Sequence, residues 1–204
     1  ACGTPPITPP VFHHPEFKQV TVLFADVVRS MDLAAALGTE RLREVMSELF
    51  RRSRCVVQHF GGSVDFTGDG IMATFGAPIA LEDHAVRACL AALDLQTEAA
   101  ALAAELHRRD AVRLKLRVGL NSGQVITGDI GAGPGNYTVI GATWGGWRNG
   151  WRQRPPPGGV LLSGSTAHLV EGIVELGAPE QLRVKNSEVP VPARRLLSAA
   201  TSVA

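Results

Sequence analysis

The chain has 204 residues and a mass of 21.6 kDa, a length that suits one domain with short tails and allows a sizeable core. Hydrophobic residues make up 45% and charged residues 19%, and a formal net charge of +1 gives no sign of a nucleic-acid partner or an acidic membrane surface. No apolar run reaches the roughly 18 residues of a membrane span, and no secretion signal opens the chain. We therefore expect a cytoplasmic protein with no membrane segment within this chain.

The first elements in chain order are a leader, a strand and a helix. Residues 1–16 are rich in proline and lack periodicity, which predicts an extended leader or linker. The run KQVTVLFADVV is β-branched and apolar, and it predicts a strand that ends at Asp26. Apolar residues at helical spacing then predict a helix with Thr39 as its N-cap and Gly61 as its stop. The arginines of this helix are assigned to a solvent-exposed face: Arg51, Arg52 and Arg54.

The middle of the chain predicts a hairpin, a long helix and further strands. The segment SVDFTGDGIMATF is typical of two short strands joined by a tight turn at Gly68, Asp69 and Gly70. A helix rich in Ala and Leu is predicted from about Leu81 to about Arg109. VRLKLRVGLNSG alternates as a strand does, and QVITGDIGAGPGNYTVIG predicts two more strands around a glycine-rich loop.

The C-terminal part completes the predicted fold. GGVLLS predicts a strand, STAHLVEG a short helix and EQLRVKNSEVPVPARRLLSA a closing pair of strands. The whole order favours an α/β sandwich with a mixed sheet. We place this domain at residues 17–198, followed by a tail at residues 199–204.

Cysteine usage agrees with a reducing compartment. The three cysteines are Cys2, Cys55 and Cys89, and none has CxxC spacing. Since Cys55 and Cys89 fall inside apolar helical patterns, we expect both thiols to be reduced and buried.

Two aspartates are candidates for metal chemistry. Asp26 closes the first strand, and Asp69 lies in the hairpin turn. Since neighbouring strands lie about 4.8 Å apart, pairing these elements could bring both carboxylates together, and two hard oxygen ligands suit Mg²⁺ or Mn²⁺. From these residues alone a structural alternative is favoured, with Asp69 as a turn former and Asp26 as a helix N-cap.

Four ordered segments change that weighting: VTVLFADVVRS, FTGDGIMATFGAP, LRVGLNSGQVITGDIG and YTVIG. In this order and at these distances they resemble the class III nucleotidyl cyclase catalytic domain, in its bacterial adenylate cyclase form, over residues 17–198. The resemblance implies a ferredoxin-like βαββαβ core with an extra hairpin arm. It also implies conversion of ATP to cyclic AMP and pyrophosphate by a homodimer that uses two divalent ions, Mg²⁺ or Mn²⁺.

The resemblance assigns the metal and phosphate sites to short segments. Asp26 and Asp69 match the family's metal-binding aspartates, and the backbone carbonyl of Val27 matches a further metal ligand. Lys185 matches a phosphate-binding lysine near the end of the domain. The backbone amides that cradle the phosphates correspond to Val28, Arg29, Ser30 and Met31. The family usually has Gly then Ser-Thr in this loop, so the arginine could meet phosphate oxygens or close the loop with its bulk.

The purine and catalytic positions depart from the family. Thr138 matches one half of the adenine-reading pair, but the family's lysine falls on Asp65. Either the aspartate replaced it, or a lysine between Asp65 and Phe66 was deleted, which would slip the strand by one residue unless a bulge absorbs it. The Asn that orients the ribose and the Arg that stabilises the transferring phosphorus fall on Gly145 and Asn149. We therefore expect impaired catalysis.

All three tryptophans lie in GATWGGWRNGWRQRPPPGG, where the family's catalytic helix is expected. One interpretation is a packed aromatic stripe, although glycines oppose a helix by about 1 kcal/mol each. The other hypothesis is that compensating single-base shifts bracket residues 142–154, because GC-rich codons read two bases later would encode an amphipathic helix of the family's type. Sequencing the gene tests this hypothesis.

Two functions remain open from the sequence. The first is an adenylate cyclase domain in a homodimer, with Asp26 and Asp69 from one subunit and Thr138 from the other. The second is a catalytically inactive domain that binds nucleotide or metal weakly and serves as a dimerisation or regulatory module. The departures at the catalytic positions favour the second for this chain as written. The ordered motifs disfavour an unrelated α/β protein.

Overall fold

The structure is a computed structural model that describes residues 16–67, 70–128, 138–140, 157–182 and 190–199. Its helices are α1 (Ser30–Leu37), α2 (Thr39–His59), α3 (His84–Asp110) and α4 (Gly164–Leu169). Its strands are β1 (Glu16–Val27), β2 (Ser63–Thr67), β3 (Gly70–Phe75), β4 (Leu116–Gly128), β5 (Thr138–Ile140), β6 (Val160–Ser163), β7 (Val174–Leu176), β8 (Glu180–Leu182) and β9 (Val191–Ala199).

The described strands form one mixed sheet. Its main path runs β2-β3-β1-β4-β6-β9-β7, with β5 paired to β4 and β8 paired to β9. Neighbouring strands are antiparallel except for β4 and β6, which are parallel. The elements from β1 to β4 follow the βαββαβ order and lie as β2-β3-β1-β4, which is the ferredoxin-like arrangement. The predicted α/β fold with a mixed sheet is confirmed.

The two faces of the sheet differ in what covers them. Because side chains alternate along a strand, Leu23, Ala25 and Val27 of β1 point to one face, where they are buried in the main core with residues of the helices. Val20 and Val22 point to the other face, where a smaller apolar cluster contains no residue of a described helix. We call these the helix-covered face and the open face, where open means only that no described helix packs on it; the small apolar cluster there is itself buried.

The longest helix, α3, supports the centre of the sheet. Its apolar side is buried against β1 and β4 and includes Ala88, Cys89, Leu95 and Leu102. Its other side is polar, and no helix in the described part of the chain is both long and apolar enough to cross a membrane. Cys89 is buried as predicted, but the prediction for Cys55 is wrong because its thiol is exposed. Cys55 lies two residues after the buried Ser53 of α2 and therefore points away from the core.

Several elements differ from the sequence prediction. Thr39 is the first residue of α2, and Gly38, with φ at 75°, is the N-cap. Residues 30–37 form the additional helix α1. The strand predicted to end at Gly123 continues to Gly128 because β1, which begins at Glu16, pairs with it over its whole length.

One of the three helix arginines is not simply solvent-exposed. The side chain of Arg52 is only 18% exposed and forms ion pairs with Glu48 at 2.7 Å and Glu105 at 3.0 Å. This prediction is corrected because α3 lies beside α2 and supplies one of these carboxylates. Arg51 and Arg54 are exposed as predicted.

Candidate functional site

The candidate metal ligand Asp26 lies near the end of β1 on the open face. It follows Val22 and Phe24 in the alternation of that strand, and its side chain is 34% exposed. In the sheet, Asp26 stands between Gly70 of β3 and Arg117 of β4. A carboxylate at this position is therefore held by two neighbouring strands and is open to a ligand from solvent.

The second candidate metal ligand, Asp69, lies outside the described residues. The hairpin that contains it is described up to Thr67 and again from Gly70, and these two residues pair with each other. Gly70 also pairs with Asp26, so the residue that follows Asp69 is the strand neighbour of the first carboxylate. The convergence of the two aspartates stays a prediction.

Arg117, which the sequence did not single out, forms hydrogen bonds to both carboxylate oxygens of Asp26. Its Nε donates to Oδ1 at 3.2 Å and its Nη2 donates to Oδ2 at 2.5 Å, so both oxygens accept from the guanidinium. The arginine side chain is 19% exposed. This geometry is the two-point pairing that makes arginine–carboxylate contacts strong and well oriented.

One backbone amide of the loop after Asp26 is already hydrogen-bonded within the fold. The Val27 side chain is buried, so its carbonyl is the group that could face a cation. The Val28 amide donates to the Lys115 carbonyl at 2.9 Å, which extends the β1–β4 pairing by one residue. Of the four predicted phosphate-cradling amides, that of Val28 is therefore already used in this structure.

Arg29 has a left-handed backbone, with φ at 55° and ψ at 47°. Glycine adopts this conformation without the clash that a Cβ introduces, which explains physically why a glycine suits this loop. The Arg29 side chain is 82% exposed and lies 3.9 Å from the Asp32 carboxylate. Met31 is also highly exposed, at 79%. The arginine is thus accommodated by pointing into solvent.

A cleft of about 460 Å³ lies between α1 and the segment that leads into β4. Its charged lining residues are Arg29, Asp32, Arg113 and Lys115. Asp26 is not among its lining residues, so the cleft lies beside the candidate metal site and not over it.

Asp65, at the position of the missing lysine, lies on the open face of the edge strand β2. The next residue, Phe66, stacks on Phe50 of α2 with 4.7 Å between ring centroids, which places Phe66 on the helix-covered face. The β2–β3 register is regular from Ser63 to Thr67 and contains no bulge. The regular register favours simple replacement of the lysine over a deletion absorbed by a bulge.

Of the other predicted site residues, Thr138 lies among the described residues. Thr138 begins β5 and pairs with Gly128 of β4 through the backbone. The remaining candidates lie outside the described residues: Gly145, Asn149 and Lys185. The tryptophan segment lies there as well, so neither of its two interpretations is decided.

The described donors around Asp26 are oxygen atoms of the kind that a hard divalent cation binds. Among the described residues, no group of three or more His, Cys, Asp or Glu side chains is arranged to hold a metal ion. Asp26 offers a hard, partly exposed carboxylate next to the carbonyl of Val27, and these oxygen donors fit Mg²⁺ or Mn²⁺. A complete site needs further donors, for which Asp69 is the candidate.

The chain matches one protein family over most of its length. The family described as the Adenylate and Guanylate cyclase catalytic domain matches residues 12–185. Among curated proteins, adenylate cyclase 1 of Rhizobium meliloti (strain 1021) is 28% identical over 128 residues, which is 62% of this chain and 19% of that protein. The chain spans a fifth or less of the first curated relatives that it matches.

Solved structures extend the likeness to nearly the whole chain. The adenylyl cyclase CyaB from P. aeruginosa superposes with a TM-score of 0.84 at 22% identity, covering 94% of this chain and 100% of that one. The guanylate cyclase domain of RhGC from Catenaria anguillulae, solved in complex with GTP, gives a TM-score of 0.77 at 22% identity and covers 90% and 99%. At these identities the likeness establishes the fold.

Proposed function

This chain belongs to the adenylate and guanylate cyclase catalytic domain family, and on that premise we propose that it converts ATP to cyclic AMP and pyrophosphate. The ribose 3′ oxygen attacks the α-phosphorus in line, loses its proton and forms the cyclic ester as the bond to pyrophosphate breaks. The position of Asp26 carries this proposal, since it is a partly exposed carboxylate on the open face beside the hairpin of Asp69.

The chain's oxygen donors define where divalent cations would bind. Asp26, the Val27 carbonyl and Asp69 would hold two ions, Mg²⁺ or Mn²⁺. When bound, such ions activate the attacking oxygen and neutralise charge on the triphosphate. The protein's own part is to fix Asp26 and the Val27 carbonyl at the end of β1, with Gly70 of β3 paired to Asp26.

Phosphate binding falls to the loop that leads into α1 and to the end of the domain. The amides of Arg29, Ser30 and Met31 lie at the start of α1, where backbone N–H groups and the helix dipole favour an anion. Since the Val28 amide is used by Lys115, this cradle is shorter than the sequence predicted. Lys185 is proposed as a further phosphate contact from its place in the sequence.

Catalysis is expected to be impaired, and purine selection with it. Asp65 replaces a lysine and puts a third carboxylate on the open face, where like charge opposes a triphosphate. Gly145 and Asn149 replace the ribose-orienting and phosphorus-stabilising side chains. The loss of one such preorganised donor commonly costs about 10²-fold or more in rate. Thr138 remains as one half of the purine contact, and ATP is the proposed substrate.

A homodimer is proposed as the working form, as the resemblance to cyclase domains implies. In it, Asp26 and Asp69 would come from one subunit and Thr138 from the other. The apolar cluster on the open face carries no part of this proposal, because Val20, Val22, Ala77 and Val125 are already buried within one chain. We also propose a cytoplasmic location, where a nucleoside triphosphate is available.

A second candidate function is an inactive cyclase domain that serves as a dimerisation or regulatory module. The observation in its favour is that Asp26 is held by Arg117 through two hydrogen bonds, so its carboxylate is paired in the absence of a cation. The departures at Asp65, Gly145 and Asn149 point the same way.

A rate assay separates the two candidates. The protein is incubated with Mn²⁺ and either ATP or GTP, beside an Asp26→Ala variant, and cyclic nucleotides are quantified. We expect slow cyclic AMP formation, some cyclic GMP because purine selection is weakened, and none of either in the variant. A folded, dimeric protein that forms no cyclic nucleotide would reject the enzyme and support the inactive module.

A further inference from the structure

The pairing of Asp26 with Arg117 follows from the sheet itself. The two residues stand directly opposite each other in the β1–β4 register, and both side chains lie on the open face. Their contact uses two donor atoms and two acceptor atoms, at 3.2 Å and 2.5 Å. The side chains are 19% and 34% exposed, so water competes for this pair only partly. This contact is therefore a well-formed ion pair and not a passing surface contact.

We propose that Arg117 competes with divalent cations for the carboxylate of Asp26 and so sets the cation affinity of the site. This inference rests on the proposed function, because it takes Asp26 to be a metal ligand. A cation that binds both carboxylate oxygens has to displace the guanidinium from at least one of them. Until it does so, the cation also lies close to a fixed positive charge, which opposes its approach.

The expected change in cation affinity follows from the strength of the Asp26–Arg117 contact that a cation has to break. Hydrogen bonds between charged groups in partly buried positions contribute enough that their loss lowers an equilibrium constant roughly tenfold. Removal of the guanidinium is therefore expected to tighten cation binding by about tenfold. The positive charge of an arginine that makes no direct contact with Asp26 would change cation affinity much less, because solvent and salt screen it.

The chain provides a matched control for this effect. Arg113 lies four residues before Arg117, is exposed, and makes no ion pair with another described residue. Its removal changes the net charge by the same amount without altering the Asp26 carboxylate. Arg117→Lys separates the two contributions in another way, since lysine keeps the charge but lacks the two-pronged donor geometry.

The experiment is a Mn²⁺ titration of the full chain, followed by the electron paramagnetic resonance signal of free Mn²⁺ without nucleotide. We compare the wild type with Arg117→Met, Arg117→Lys, Arg113→Met and Asp26→Asn, and circular dichroism confirms that each is folded. The expected result is about tenfold tighter binding for Arg117→Met, a smaller gain for Arg117→Lys, no change for Arg113→Met and loss of the site for Asp26→Asn.

Two results would overturn the proposal in different ways. If Arg117→Met and Arg117→Lys bind Mn²⁺ no more tightly than the wild type while Asp26→Asn loses the site, the competition is wrong and the metal site stands. If Asp26→Asn binds Mn²⁺ as the wild type does, Asp26 is not a metal ligand, and the proposed function fails together with this inference.

Discussion

At the residue scale, the backbone of Arg29 is strained. A left-handed conformation costs a residue with a Cβ roughly 1–2 kcal/mol, and the exposed Arg29 side chain gains little in return. The strain lies in the loop that the proposed function assigns to the phosphates. This links a conformational cost directly to the candidate site.

Replacement of Arg29 by glycine is expected to stabilise the protein. The free energy of unfolding should rise by about 0.5–1 kcal/mol, because the relieved strain exceeds the added entropy of the unfolded chain. Urea unfolding measures this difference. Arg29→Ala is the control, since it removes the same side chain and keeps the strained backbone. An equal gain in both variants would contradict the backbone explanation.

A buried histidine connects α3 to hydroxyl groups of the sheet and of α4. His84 Nδ1 lies 2.7 Å from the Thr21 hydroxyl, which lies 2.7 Å from that of Ser122, and Ser122 is 2.9 Å from Thr166. These side chains are all buried. Burial lowers the pKa of His84 below its usual 6.5, and the neighbouring Asp83 carboxylate opposes this only in part.

The lowered pKa of His84 predicts a pH dependence of stability. Since the unfolded chain takes up a proton on this residue near pH 6.5 and the folded chain only at lower pH, the free energy of unfolding should fall as the pH drops below 6.5. The loss should be complete once the pH is below the folded pKa. In His84→Asn, which keeps a polar atom near Thr21, this part of the pH dependence should be absent. Urea unfolding of the wild type and of His84→Asn between pH 7.5 and pH 5 measures this dependence. If the free energy of unfolding changes equally with pH in the two proteins, the assignment to His84 is wrong.

At the element scale, an ion-pair network joins α2 to α3. Arg52 contacts Glu48 on its own helix and Glu98 and Glu105 on α3, at distances of 2.7, 3.7 and 3.0 Å. A second link joins Arg41 of α2 to Asp110, the last residue of α3, at 2.9 Å. These pairs fix how the two helices lie on the sheet.

Arg52→Met is expected to lower the free energy of unfolding by about 1 kcal/mol, because Glu98 and Glu105 of α3 lose the cation that links them to α2, while Glu48 keeps its pair with Arg51. The matched control is Arg43→Met, which removes an exposed pair with Glu40 on α2 and should change stability by less than about 0.5 kcal/mol. Denaturant unfolding at low and high salt measures both. Equal losses for the two variants would show that the network has no special effect.

The same elements show how far the sequence predicts the fold. The β-branched apolar run of β1 and the glycine-containing turn signal predicted that strand and the hairpin, because both are local patterns. The helix α1 was missed because it is only eight residues long and its N-cap, Arg29, makes no side-chain capping hydrogen bond. The pairing of Asp26 with Arg117 could not be predicted, since it depends on the register of strands that are 91 residues apart.

At the scale of the whole molecule, the chain is a cyclase domain in which the described helices pack on one face of the sheet. The candidate metal ligand Asp26 lies on the other face, beside the small buried apolar cluster. In the proposed homodimer, a site between two subunits needs residues from both. The segment that departs most from the family, around Gly145 and Asn149, lies outside the described residues, so its effect is measured best through activity.

The proposed activity is tested most directly by the products formed from ATP and Mn²⁺. Chromatography of the quenched reaction quantifies cyclic AMP and pyrophosphate over time, with Asp26→Ala as the control. The predicted result is slow formation of the two products in equal molar amounts, abolished in the control. ATP that stays unchanged, or that yields orthophosphate independently of Asp26, with the protein folded and dimeric, would contradict the assignment of this chain as an active cyclase.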